Sequence, residues 1–154
     1  MKQLTHEHFM KLALAEARKA EQLDEVPIGA VIVSDGRVIA RGHNKRETTN
    51  DPTGHAEIIA LRKAAKKLGS WRMPDARIYV TIEPCSMCAG AIVWSRLDEV
   101  VFGATDPKGG ALGSSYNLYE QKNLNHYPKV TSGILSQECK AILSGYFKKK
   151  REQK

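Results

Sequence analysis

His55-Ala56-Glu57 and Pro84-Cys85-Ser86-Met87-Cys88, with Cys85 thirty residues after the histidine, supply an imidazole, two thiols and a carboxylate. Cys85 and Cys88 stand i and i+3 on one face of a predicted helix. They fall in its first turn, where the positive end of the helix dipole favours thiolate over thiol. Both sulfurs can then reach one metal ion. With His55 opening a second helix, a zinc ion between the two helix starts would take one imidazole at ~2.0 Å and two thiolates at ~2.3 Å, leaving one tetrahedral position open. An open position suits hydrolysis, because water bound to zinc falls from a pKa near 15.7 to about 7. Two thiolates and a neutral imidazole also cancel the charge of the dication, whereas further thiolates would weaken its pull on water. Glu57 is too close to the histidine to be a fourth ligand without straining the helix start. It is well placed to take a proton from the activated water and deliver it elsewhere.

Other readings of these residues compete. A closed structural zinc site would need Cys139, His43 or His126 as fourth ligand, yet such sites draw ligands from paired short spacings and none of the three is so paired. Dithiol redox chemistry explains Cys-x-x-Cys at a helix start but leaves His-x-Glu without a role. Cys139 reads as a small buried hydrophobe in the last helix.

The elements that must position these groups follow from periodicity. Thr5 precedes Phe9, Leu12, Ala13, Ala17 and Ala20 at helical spacing, which predicts a helix over about 6–22. Strands over 28–33 and 38–40 flank Asp35-Gly36, a tight hairpin signal. The polar segment 46–54 reads as a loop, and His55 opens a helix that ends at Gly69. A β-branched strand over 78–82 leads into Pro84, taken as the first position of a helix over about 85–95. Strands over 99–102 and 129–132 follow, and Ser136 reads as the cap of a last helix carrying Ile142, Leu143, Tyr146 and Phe147. Strands alternating with helices predict an α/β layer fold, its sheet largely parallel beyond the opening hairpin.

A chain of 154 residues is about one domain long. With 42% hydrophobic and 27% charged residues, disorder as the dominant state is excluded. The longest apolar runs, 28–33 and 89–94, fall far short of the roughly 20 residues that span a bilayer, so no membrane role is expected. Three cysteines and no apolar stretch after Met1-Lys2-Gln3 support neither a disulfide framework nor a secretory signal, and point to a reducing cytoplasm. Lysine and arginine outnumber aspartate and glutamate by 24 to 17, a net +7, and residues 148–154 alone carry five positive side chains against one negative. Such a cluster fits a polyanionic partner, since cations beside phosphates release condensed counterions; a solvated helix end is the plainer reading.

His-x-Glu followed by Pro-Cys-x-x-Cys resembles the signature of zinc-dependent nucleoside deaminases. Gly42-His43-Asn44, Asp51-Pro52-Thr53, the run from Gly103 to Lys108 and Leu124-Asn125-His126 make the chain similar, over nearly its whole length, to bacterial tRNA-specific adenosine deaminases. Ile82, where leucine is expected, and Gly54, where alanine is frequent, depart from that pattern without touching a functional atom. The resemblance implies a three-layer α/β/α cytidine-deaminase-like fold with a five-stranded mixed sheet, a single deaminase domain over 1–154, and a homodimer. It implies one zinc per chain held by His55, Cys85 and Cys88, with Glu57 as proton shuttle. Asn44 would hydrogen-bond the inserted base and Asp106 would lie on the nucleotide-binding loop, although turn chemistry alone also accounts for both. The implied reaction is hydrolysis of the wobble adenosine of a tRNA anticodon stem-loop to inosine and ammonia, on a base that is already unpaired. The basic end after Tyr146-Phe147 would grip the loop by phosphate contacts and stacking, unless those aromatics belong to the core. A deaminase of a free base or nucleotide such as guanine or cytosine would use the same metal site. A silent RNA-binding subunit would have no need of Glu57.

Overall fold

Thr5 accepts a hydrogen bond from the His8 N–H at 3.2 Å and starts α1 (His6–Gln22) where the periodicity places it. The computed structural model describes residues 5–153; Met1 to Leu4, on which the reading of the chain's start rests, and Lys154 lie outside the described residues. Along β1 (Gly29–Ser34) side chains alternate between the two faces of the sheet. Ala30 and Ile32 are buried in one core, Val31 and Val33 in another, so the sheet is covered on both sides.

The remaining strands are β2 (Arg37–His43), β3 (Ala76–Ile82), β4 (Glu99–Ala104) and β5 (Lys129–Thr131), in the order β2-β1-β3-β4-β5. β1 runs antiparallel to both β2 and β3, whereas β3, β4 and β5 are parallel. On the Ala30 face, α3 (Ala56–Leu68) and α4 (Ser86–Trp94) bury Ala56, Ala60, Leu61, Ala64, Ala89 and Ile92. On the other face lie α1, with Phe9, Met10, Ala13 and Leu14, and α5 (Ser136–Glu152), with Cys139. The result is a three-layer α/β/α fold around a five-stranded mixed sheet, as expected. Gly42 lets α3 lie directly on β2, because a Cβ there would stand 2.4 Å from the Ala56 carbonyl oxygen and 2.8 Å from the Ala60 nitrogen.

Several boundaries differ from the periodicity. Asp35 and Gly36 both have positive φ, as a two-residue hairpin turn requires, but β2 extends to His43 through a register shift between Ile32 and Val33 that leaves Ile39 as the extra residue. The polar segment 46–54 is not all loop. It contains α2 (Arg46–Thr49), whose first N–H groups are taken by a distant carboxylate: Glu25 accepts from Glu47 N–H at 3.2 Å and from Thr48 N–H at 2.6 Å. α4 begins at Ser86 with Cys85 as its cap residue, so Pro84 stands one position outside the helix; its carbonyl accepts from Ala111 N–H at 2.9 Å. Ser136 is the first residue of α5 rather than its cap. Leu135 holds the cap position with φ 53°, because its side chain and that of Ile134 pack against the second core.

α5 continues through the basic segment to Glu152, yet Cys139 is its one fully buried residue. Tyr146 is half-buried and donates its hydroxyl to the Asp24 carbonyl at 3.1 Å, while Phe147 is 42% exposed, so neither aromatic belongs to the core. Among the described residues no helix is long and apolar enough to cross a membrane.

Candidate active site

β2 delivers the chain to one half of the site. Asn44 N–H bonds the Ile28 carbonyl at 3.1 Å, extending the hairpin, and Lys45 N–H bonds the Gly54 carbonyl at 2.9 Å, fastening the exit of β2 to the residue before His55. Asp51 closes the intervening turn: its Oδ1 accepts from the Thr53 N–H at 2.8 Å and from the Thr53 hydroxyl at 2.7 Å. His55 is then the cap residue of α3, with extended backbone and no capping bond from its side chain, which leaves the imidazole to turn elsewhere. β3 delivers the other half. Cys85 caps α4 in the same extended conformation, again without a side-chain cap.

The two helix starts converge. His55 Nδ1 lies 3.6 Å from Cys85 Sγ and 3.6 Å from Cys88 Sγ, and the three ligand atoms fall within 4.8 Å of one another. A tetrahedral ion bound at ~2.0 Å by nitrogen and ~2.3 Å by sulfur sets those atoms about 3.5 Å apart, so the donor set fits zinc in both chemistry and spacing. Among the described residues no other group of three such side chains forms. His43 is held by Glu16 at 3.3 Å, His126 Nε2 meets the Leu97 carbonyl at 2.6 Å, and Cys139 is fully buried in the second core. None of the three joins the cluster as a fourth ligand.

The surroundings set the charges. Cys85 is pulled down to about 4, first by its bond with Cys88, with burial opposing and the His55 ring assisting. Cys88 is pushed up by that same bond and by burial, so the two sulfurs share one proton. A divalent cation held by His55, Cys85 and Cys88 would displace it, since ligand thiols bind metal as thiolates. His55 is raised by its bond to Cys85, partly offset by burial. Glu57, in the first turn of α3, is 4% exposed, and burial raises its carboxyl to about 7. A carboxyl in that range exchanges protons in both directions at neutral pH.

Asn44 is 2% exposed. Its amide donates one hydrogen to the Val26 carbonyl at 3.3 Å and its oxygen accepts from Arg46 N–H at 3.4 Å, which leaves the second amide hydrogen for another acceptor. Asp106, just beyond β4, is half-buried. Its Oδ1 accepts from the Lys108 and Gly109 N–H groups at 3.1 and 3.2 Å, the bonds of an aspartate turn, and its own N–H donates to Glu83 at 3.0 Å. Sequence reasoning missed the carboxylates Glu16, Glu25 and Glu83, all buried. Glu83 had a readable signal, a charged residue at the end of a β-branched strand directly before Pro84-Cys85.

Known proteins match this arrangement. A model of the MafB19-like deaminase family matches residues 4–151. The chain is 51% identical over 148 residues, 96% of its own length and 92% of the relative's, to the tRNA-specific adenosine deaminase of Bacillus subtilis (strain 168). A solved tRNA:A34 deaminase, studied for A-to-I editing at the wobble position, superposes with a TM-score of 0.86 at 52% identity, covering 88% of this chain and 99% of that one. The guanine deaminase from Nitrosomonas europaea shares the fold at a TM-score of 0.78 but only 27% identity, over 91% of this chain and 83% of that one. The chain belongs to the MafB19-like deaminases and, within them, to the tRNA-specific adenosine deaminases.

Proposed function

We propose that this chain, acting as one deaminase domain over 1–154, hydrolyses the wobble adenosine of a tRNA anticodon to inosine in the cytoplasm, with one zinc ion held by His55, Cys85 and Cys88. The carrying observation is the convergence of these three ligand atoms at tetrahedral spacing next to the buried carboxyl of Glu57. Zinc, when bound, supplies a water acidic enough to lose its proton near pH 7. Glu57 takes that proton, returns it to the ring nitrogen of adenine, and serves the departing amine, so that water and adenosine become inosine and ammonia. Asn44 offers its remaining amide hydrogen to the base, and Asp106 faces the ribose or a neighbouring nucleotide.

Support for an RNA loop over a free base comes from the high identity to tRNA deaminases and from the exposed cations Lys148, Lys149 and Arg151 at the end of α5. Support for a homodimer comes from α4, which is apolar on every side although Met87, Gly90 and Ala91 are only half-buried and Trp94 is 64% exposed. Beyond its chain neighbours and the backbone of its own helix turn, nothing lies within 4 Å of a Cβ position at Gly90, so a mid-helix glycine suits the close approach of a second copy. Purified protein should deaminate a wobble-adenosine stem-loop far faster than free adenosine, guanine or cytosine, and should sediment as a dimer. Equal efficiency on a free base would transfer the assignment to base deamination, and a monomer at assay concentration would remove the dimer.

A further inference from the structure

Glu83, between β3 and Cys85, is 3% exposed, and among the described residues no cation pairs with it. Its carboxylate is instead filled by one loop. Oε1 accepts from the Asp106 N–H at 3.0 Å and from the Ser114 hydroxyl; Oε2 accepts from the Leu112 N–H at 2.9 Å and the Ser114 N–H at 3.1 Å. The loop is tied back on either side, by Ala111 N–H to the Pro84 carbonyl at 2.9 Å and by Glu83 N–H to the Ala104 carbonyl at 2.9 Å. Gly110 makes room for the carboxylate, since a Cβ there would stand 2.3 Å from the Glu83 carboxyl carbon.

A carboxylate offers acceptors only, about four lone-pair sites, and here four donors from residues 106–114 meet it. Burying such a group is unfavourable unless every site is satisfied. We propose that Glu83 is a positioning residue for the deamination: it fastens the loop carrying Asp106 to the two residues that precede Cys85, so that the nucleotide-facing loop and the metal-holding helix start keep one fixed separation. The proposal rests on the reading of that loop as substrate-facing. Glu83 itself touches neither ligand nor substrate. Its effect reaches the reaction through where Asp106 and its neighbours stand.

Glu83→Gln keeps the shape of the side chain but sets an NH2 group against backbone N–H donors. On zinc-loaded protein, steady-state kinetics with the wobble-adenosine stem-loop should show KM raised at least tenfold and kcat lowered less. Zinc content should be unchanged, and amide exchange over 105–114 faster. Ser114→Ala removes one donor from the solvent side and leaves the carboxylate in place, so it tests the same bond network where Glu83→Gln fails to fold; KM should rise two- to fivefold. In an Asp106→Ala background, Glu83→Gln should add less than a twofold further change. Parental KM in either Glu83→Gln or Ser114→Ala overturns the proposal, as does a full multiplication of the Glu83→Gln and Asp106→Ala effects. Loss of zinc in step with activity also overturns it, making Glu83 part of the metal scaffold. Asp106→Ala alone at parental KM instead overturns the substrate-facing reading of the loop, whatever exchange over 105–114 reports.

Discussion

The start of α4 and the end of α5 are both helix termini that concentrate charge, and they are built in opposite ways. At the start of α4, Cys85 and Cys88 stand beside His55 with 3.6 Å separations, Glu57 is 4% exposed alongside, and Glu83 and Pro84 are bonded to the loop beyond β4. At the end of α5, Lys148, Lys149 and Arg151 are exposed. That end meets the body of the protein through Asp24, which accepts from Tyr146 and pairs with Lys150. Bond-making chemistry tolerates little displacement, so its groups stand on helix starts whose flanking backbone is fastened to neighbouring segments, Lys45 N–H to the Gly54 carbonyl before His55 and Ala111 N–H to the Pro84 carbonyl before Cys85. Attraction between cations and phosphates acts over a Debye length of about 8 to 10 Å and needs no such fixing.

The comparison breaks first at the metal. Cys88→Ala should lose the zinc and all measurable deamination, and should lower the unfolding free energy by several kcal/mol, on the order expected where metal binding and folding are coupled. Elemental analysis with a denaturation curve checks this, and a Cys88→Ala protein that keeps stoichiometric zinc would show that the ligand set is wrong. A chain ending after Phe147 should keep its zinc and its rate at saturating stem-loop. Its slope of log affinity against log salt should fall by about 2, because among the described residues three of the removed cations are exposed while Lys150 is already paired with Asp24. An unchanged slope would reduce the basic segment to a solvated helix end. Tyr146→Phe should be the mildest change, about 0.5 kcal/mol of stability for one partly exposed hydrogen bond, with the salt slope intact. A loss of about 2 kcal/mol or more would mean that the end of α5 is held as firmly as the start of α4.

What could be read from the sequence divides along the same line of local against distant causes. The pair Cys85 and Cys88 was legible because i, i+3 spacing is local, and Asp35-Gly36 because a two-residue turn is local too; His55, thirty residues before Cys85, was joined to them by residue type and by the resemblance of the whole motif rather than by spacing. α2 was not, since the carboxylate that satisfies its first N–H groups belongs to Glu25, more than twenty residues earlier. The cap of α5 was misplaced to Ser136 because the packing of Ile134 and Leu135 on the second core overrides the local preference for serine. Glu83 follows the same rule, with hydrogen-bond partners 23 to 31 residues away. Asn44 and Asp106 lie between these cases. Their turn bonds are local and readable, whereas any contact with a nucleotide is not written in spacing.

The central claim is that Glu57 moves protons and does nothing else indispensable. Glu57→Gln keeps size and hydrogen bonding but cannot accept and return a proton, so single-turnover rates on saturating wobble-adenosine stem-loop should fall by at least about 10⁴-fold, the upper end for general acid and base catalysis. Zinc content and stem-loop affinity, measured on the same sample, should stay at parental values. A rate within tenfold of the parent, with zinc in place, would contradict the account and leave Glu57 a helix-start residue favoured only by the dipole of α3.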